Sequence, residues 1–169
     1  MEQGLDILDI TAKLESIVQM VWPSFCNEIL ERIEALPAGS GKLAVKAACT
    51  HILGGFSGSV SVEIEVGLMH EAVRDMMRIE EVSNDDMDSV IKELVNVISG
   101  NLKGILSAKP SILSTPKAFD EVGFNFELSD NQIITAVLFK TEKGLMIVKL
   151  HQATELDIPN EKTKGQLLV

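Results

Sequence analysis

The order of hydrophobic patterns along this chain predicts an α+β domain: an antiparallel sheet, with a mixed sheet also compatible, and long helices packed on it. Three observations carry that prediction. Apolar and polar residues alternate strictly at 59–66, as in a strand. Apolar residues recur every three or four positions at 10–36 and again from about 84 to 108, as in helices. After Pro110, four short apolar runs are separated by turn residues.

Taken in order, Ile10 to Leu36 places Ile17, Met20, Val21, Phe25, Ile29, Leu30 and Ile33 at helical spacing, with Pro23 expected to kink or split the helix. Pro37-Ala38-Gly39-Ser40-Gly41 reads as a stop and linker. Leu43 to Leu53 reads as a mostly buried strand, and Gly54-Gly55-Phe56-Ser57-Gly58 as the turn that follows it. In Ser59 to Val66, the residues Val60, Val62, Ile64 and Val66 alternate with Ser59, Ser61, Glu63 and Glu65. That pattern implies one buried and one wet face, and an antiparallel hairpin with the preceding strand. Helical spacing returns at Leu68 to Ile79. Ser83-Asn84-Asp85-Asp86 offers N-cap acceptors for a long helix that runs to about Ala108. Runs at Ser111–Ser114, Val122–Leu128, Gln132–Phe139 and Leu145–His151 are expected strands. The last of them should form a meander of hairpins through Ser129-Asp130-Asn131 and Thr141-Glu142-Lys143-Gly144. Residues 1–153 then make one domain, and 154–169, polar with Pro159 and Gly165, a loosely ordered C-terminal extension.

With 169 residues the chain can bury a proper core without staples. Its 25 acidic and 15 basic residues give a net charge of -10, unrelieved by any basic cluster. Nucleic acid and anionic membrane both require such a cluster, so neither is an expected partner. No apolar run approaches the roughly 18 residues of a membrane span. The acidic N-terminus lacks a signal peptide's positive region. Cys26 and Cys49 stand apart, which suggests neither a disulfide framework nor a zinc site. A reducing, cytoplasmic compartment is the expectation.

Several chemistries are excluded by spacing. Gly39-Ser40-Gly41-Lys42 lacks the upstream glycine and following Ser or Thr of a phosphate loop, and it precedes a strand. His51, His70 and His151 form no metal-ligating spacing, and no nucleophile elbow is present. The seven methionines read most simply as core filler.

What remains is Ser89 to Lys103. At about 100° per residue, Ser89, Glu93, Asn96, Gly100 and Lys103 fall within roughly 40° of one direction. Val90, Ile91, Leu94, Ile98, Leu102, Ile105 and Leu106 fall opposite. An exposed helix face ordinarily carries good helix formers, so an Asn and a Gly there are locally costly. The bland alternative is a solvated face with Glu93 paired to Lys92 or Lys103. Asn101 points with the apolar stripe and is expected to be buried and hydrogen-bonded.

The set Ser89-x-x-x-Glu93-x-x-Asn96, with Gly100-Asn101 and Pro116 after it, resembles the signature of the CheC/CheX/FliY family of chemotaxis phosphatases. The run Glu93-Leu-Val-Asn96-Val-Ile-Ser-Gly100-Asn101-Leu-Lys103 is most similar to the CheX branch, and the likeness extends over about Ile10 to Ala153. The resemblance implies removal of phosphate from the phospho-aspartate of a CheY-like receiver domain. It assigns Glu93 to pairing with the receiver's lysine and Asn96 to positioning the attacking water. Gly100 would give clearance, and Ser89 and Lys103 would make partner contacts. It further implies no cofactor of the chain's own, Mg²⁺ in the receiver, one site per chain and a homodimer. A receiver-binding adaptor or flagellar-switch scaffold of the same fold, without catalysis, is the alternative.

Overall fold

The computed structural model describes residues 6–124 and 132–153. Among them, seven strands form one sheet in the order β1 (Glu31–Ile33), β6 (Gln132–Lys140), β7 (Leu145–Gln152), β3 (Gly58–Glu65), β2 (Ala44–Gly54), β4 (Ser111–Leu113), and β5 (Lys117–Val122) also pairs with β2. Every pairing is antiparallel. Three helices pack on the sheet, so the α+β architecture expected from the sequence is the one found. No helix among the described residues is long and apolar enough to cross a membrane. The proposed C-terminal extension, 154–169, and the turn at 129–131 lie outside the described residues.

Helix α1 (Ile7–Val21) is capped by Asp6, whose carboxylate accepts from the N–H groups of Leu8 and Asp9. It buries Ile10, Leu14, Ile17, Val18 and Val21. Pro23 splits the expected longer helix: a 3-10 turn, Trp22–Ser24, ends the helical path. The remaining apolar residues at 29–33 are not helical. Glu31–Ile33 is β1, a short edge strand paired with β6 (Gln132–Lys140), and Ile29 is 86% exposed. Trp22 fixes this return by donating from Nε1 to the Glu28 carbonyl at 2.8 Å.

Strands β2 (Ala44–Gly54) and β3 (Gly58–Glu65) form the expected hairpin. Its glycines do more than turn the chain. Gly54 has φ +128°, and a Cβ there would meet the Pro110 carbonyl oxygen at 2.5 Å. A Cβ on Gly55 would meet Ser107 Oγ and the Lys109 Cβ at 2.7 Å, so the turn lies directly against the segment leaving α3.

The expected wet face of β3 is buried. Ser59, Ser61 and Glu63 are all at most 1% exposed. Each has a polar partner on a neighbouring strand: His51 Nδ1 lies 2.7 Å from Ser59 Oγ, His151 Nε2 lies 3.1 Å from Ser61 Oγ, and Lys149 Nζ lies 2.9 Å from Glu63 Oε2. Alternation marks the strand, but its polar side is enclosed because neighbouring strands supply partners for it.

Helix α2 (Val66–Met77) and helix α3 (Asn84–Leu106) follow. Ser83 caps α3 in a reciprocal pair: its Oγ accepts from Asp86 N at 3.1 Å and its N–H donates to Asp86 Oδ2 at 2.9 Å. The Ser83 backbone N–H holds the Asp86 carboxyl below the usual carboxylate range. The helices share one core with Val60, Val62 and Ile64 of β3 and with Val137, Phe139, Met146, Val148 and Leu150 of β6 and β7 (Leu145–Gln152).

Two further strands complete the other edge of β2. Strand β4 (Ser111–Leu113) pairs with Ile52–Gly54, and β5 (Lys117–Val122) pairs with Ala44–Cys49. The expected strand at Val122–Leu128 overlaps β5 only at Val122, and its residues 125–128 lie outside the described residues. Gly123, at φ +73°, turns the chain out of the extended path directly after Val122. Strand β5 pairs with β2, and the β6–β7 hairpin of the expected meander forms; the expected turn into β6 lies outside the described residues.

Candidate functional site

Helix α3 carries the candidate residues, and its buried side shows why they face outward. Met87, Val90, Ile91, Leu94, Val95, Ile98, Ser99, Leu102 and Leu106 are buried in the core. Ser89, Glu93 and Gly100 are left exposed, with Asn96 and Lys103 half-buried.

The N-terminal half of α3 is fixed to the sheet by Lys46 of β2, whose side chain is 1% exposed. Its Nζ donates to Asn84 Oδ1 at 2.8 Å, to Asp88 Oδ1 at 2.6 Å and to the Asp120 carboxylate of β5. Burial disfavours the charge, but the bonds to Asp120 and Asp88 outweigh it and hold the Lys46 pKa above the ordinary lysine value. Asp88 immediately precedes Ser89, so this anchor sits at the start of the candidate face.

Between β4 and β5 the chain turns a corner at Ser114-Thr115-Pro116. Ser114 clamps that corner to β2. Its N–H donates to the His51 carbonyl at 2.9 Å, its Oγ accepts from His51 N at 2.9 Å, and its carbonyl accepts from Thr50 Oγ1 at 2.8 Å. Thr115 and Pro116 are thereby held beside α3. With Ser89, Lys92, Glu93 and Asn96 they enclose a surface hollow of about 380 Å³.

The structure therefore brings Ser89, Glu93 and Asn96 to one place. Gly100 continues the same face, and a Cβ built on it meets nothing within 4 Å. Lys103 lines neither this hollow nor the second one described below. Among the described residues, the Glu93 carboxylate and the Asn96 amide make no hydrogen bond or ion pair with the chain, so the pairing of Glu93 with Lys92 or Lys103 does not occur. Thr115 went unremarked as a wall of the site. Its only sequence signal was the Pro116 that follows it.

Glu93 also borders a second hollow of about 440 Å³ on the other side of α3, with Met20, Phe25, Met76, Val97 and Asn101. Two expectations fail here. Asn101 is exposed rather than buried, and its Nδ2 donates back to the Val97 carbonyl at 2.8 Å. The reason is that the buried arc of α3 drifts along its length. Val90 and Leu94 define one side of it early, and Ser99, Leu102 and Leu106 the opposite side later, a shift of roughly 70° that leaves Asn101 and Ile105 outside. The methionines are also not uniformly core. Met69, Met87 and Met146 are buried, whereas Met20, Met76 and Met77 are exposed.

Elsewhere, both cysteines are buried, and burial raises their thiols to about 12 for Cys26 and about 11 for Cys49. Neither is poised as a nucleophile. Among the described residues no group of three His, Cys, Asp or Glu side chains is placed to hold a metal ion.

Comparison with known proteins bears on the whole arrangement. No curated protein matches the chain. Among solved structures, chemotaxis protein CheX from Vibrio vulnificus superposes with a TM-score of 0.71 at 16% identity, covering 88% of this chain and 99% of that one. CheX from Desulfovibrio desulfuricans gives 0.68 at 19% identity, covering 86% and 99%. The CheX–CheY–BeF3–Mg²⁺ complex from Borrelia burgdorferi gives 0.61 at 14% identity, covering 88% and 99%. At such identities these likenesses establish the fold. The family model described as chemotaxis phosphatase CheX matches residues 47–140, which is more than half of the chain and includes all of α3. The chain belongs to the CheX family.

Proposed function

We propose that this protein acts in the cytoplasm as a phosphatase that hydrolyses the aspartyl phosphate of a CheY-like receiver domain. The observation that carries the reading is the juxtaposition of Glu93 and Asn96. They lie one turn apart on α3, line one hollow, and have no partner among the described residues. A neighbouring fold is that of a CheX–CheY complex, which supports a receiver as the partner.

In this reading the Glu93 carboxylate pairs with the receiver's lysine and sets the docking register, and the Asn96 amide enters beside the acyl phosphate. Its Oδ1 accepts from the attacking water and its Nδ2 can donate at the same time, which aims a water lone pair at phosphorus. The P–O bond to water forms and the bond to the aspartyl oxygen breaks, leaving a free carboxylate and inorganic phosphate. The water's proton goes to the phosphate. A loose transition state of this kind needs orientation and charge stabilisation more than a strong base. The receiver's Mg²⁺ would supply charge stabilisation at the phosphoryl oxygens. Gly100 leaves clearance for the receiver's loops, and Ser89 and Lys103 are assigned to contacts with it. A homodimer joined through a strand edge belongs to the same reading and is checked by sedimentation.

The test is the decay of a phosphorylated receiver with and without the protein. The expected result is faster decay, lost in Asn96→Ala with the fold intact by circular dichroism. Binding of the receiver with decay at its intrinsic rate would replace the phosphatase with a non-catalytic adaptor.

A further inference from the structure

The hollow on the far side of Glu93 is not used by the chemistry just described, yet it shares that residue with the hollow that is. Its walls come from three helices and the segment after the first: Met20 at the end of α1, Phe25 after the 3-10 turn, Met76 at the end of α2, and Val97 of α3. The surface is predominantly apolar. Met20 is 62% exposed and Met76 is 41% exposed, each on a helix whose buried face is otherwise packed into the core. Asn101 closes the far end with its amide nitrogen already bonded to the Val97 carbonyl, which removes a hydrogen-bonding demand from that lip.

We infer that the Met20–Met76–Val97 groove is the specificity pocket for the receiver, filled by an apolar side chain next to the lysine that meets Glu93. This rests on the docking of a receiver at Glu93 and Asn96. Continuity identifies the occupant. A partner that covers Asn96 and pairs with Glu93 must overhang the groove, because Glu93 is its rim and Val97 lies one turn further along the same helix. The six residues that line the first hollow, Asn96 among them, are too few for a specific interface, which takes about 20–30 residues a side, so the footprint extends beyond them. Ionic recognition at Glu93 would draw in any cationic surface. The adjoining apolar groove selects among them, and its methionines can repack around side chains of different shape.

The test is Met20→Ser with Met76→Ser, neutral changes at exposed positions that leave the charge at Glu93 untouched. The partner used is the purified CheY-like receiver, activated with beryllofluoride for calorimetry and phosphorylated for turnover. The expected result is a rise of tenfold or more in both Kd and KM at unchanged kcat, with Met20→Leu/Met76→Leu within twofold of wild type. Ile29→Ser, at an exposed apolar position that lines a different hollow, should change neither. An unchanged Kd in the double serine variant overturns the groove. If the wild type binds the receiver but does not accelerate decay, the phosphatase reading fails and the Kd comparison still decides the groove. If the wild type does not bind at all, both fall.

Discussion

Lys46 and Asp88 meet at 2.6 Å where the sheet touches the first turns of α3, with the lysine nitrogen enclosed and the aspartate partly open to solvent. A buried ammonium bonded to three oxygens is costly to disrupt from either side. Lys46→Met keeps the stem but removes the charge, and it should cost about 1–3 kcal/mol of stability by urea unfolding. The raised lysine pKa means that the stabilisation is complete below about pH 10.4 and disappears only as pH climbs through the higher folded value. Hydrogen exchange should show the loosening first in amides of the opening turns of α3.

Glu93→Gln preserves volume and removes the charge offered to the receiver. KM should rise about tenfold, equivalent to about 1.4 kcal/mol, with kcat little changed. Wild-type KM should increase with ionic strength while the variant's stays flat. A wild-type KM indifferent to salt would argue against an ionic docking contact.

Gly100 separates a structural from an interfacial role, because among the described residues nothing beyond its own stretch of helix lies within 4 Å of the Cβ it lacks. Gly100→Ala should therefore stabilise the helix, by up to about 1 kcal/mol, while lowering kcat/KM on the phosphorylated receiver. Gly100→Leu should lower it further. A variant that gains stability and keeps full activity would show that the receiver does not approach here.

His151 provides the pH prediction. Burial, then the charge of Lys149 and the neighbouring His51, depress it from 6.5 to about 4. The folded state binds fewer protons than the unfolded one between those values, so this stabilisation is whole above pH 6.5 and is lost as pH falls through 4. Between pH 7 and pH 5 the loss should be about 2 kcal/mol. His151→Gln should flatten that part of the stability profile.

Much of this organisation was legible in the sequence where local pattern and tertiary environment agree. Strands β2, β3, β6 and β7, helices α2 and α3, and the shared face of Ser89, Glu93 and Asn96 follow directly from periodicity. The failures came where distant residues decide. Ile29 and Ile33 continue the spacing of α1 by coincidence, and β1 exists only because β6, over a hundred residues later, offers it an edge. Ser61 and Glu63 look solvated until His151 and Lys149 supply their partners from β7. Asn101 looks buried on a straight helical wheel, but α3 does not keep one arc against the core. The receiver and the reaction came from the family resemblance, since one Glu and one Asn on a helix carry no chemistry by themselves.

The glycine turn between β2 and β3 gives α3 a property of a different kind. The helix is stopped at one end by Lys46, which grips Asn84 and Asp88, and at the other by Gly54 and Gly55, against which residues 107–110 abut. Asn96 stands roughly 18 Å from the first stop and 15 Å from the second. The helix thus behaves as a gauge bar held between two shoulders, with the position of Asn96 along its axis determined by both. An added methyl group at Gly55, which lines neither of the hollows beside Glu93, would push on one shoulder and reset that position.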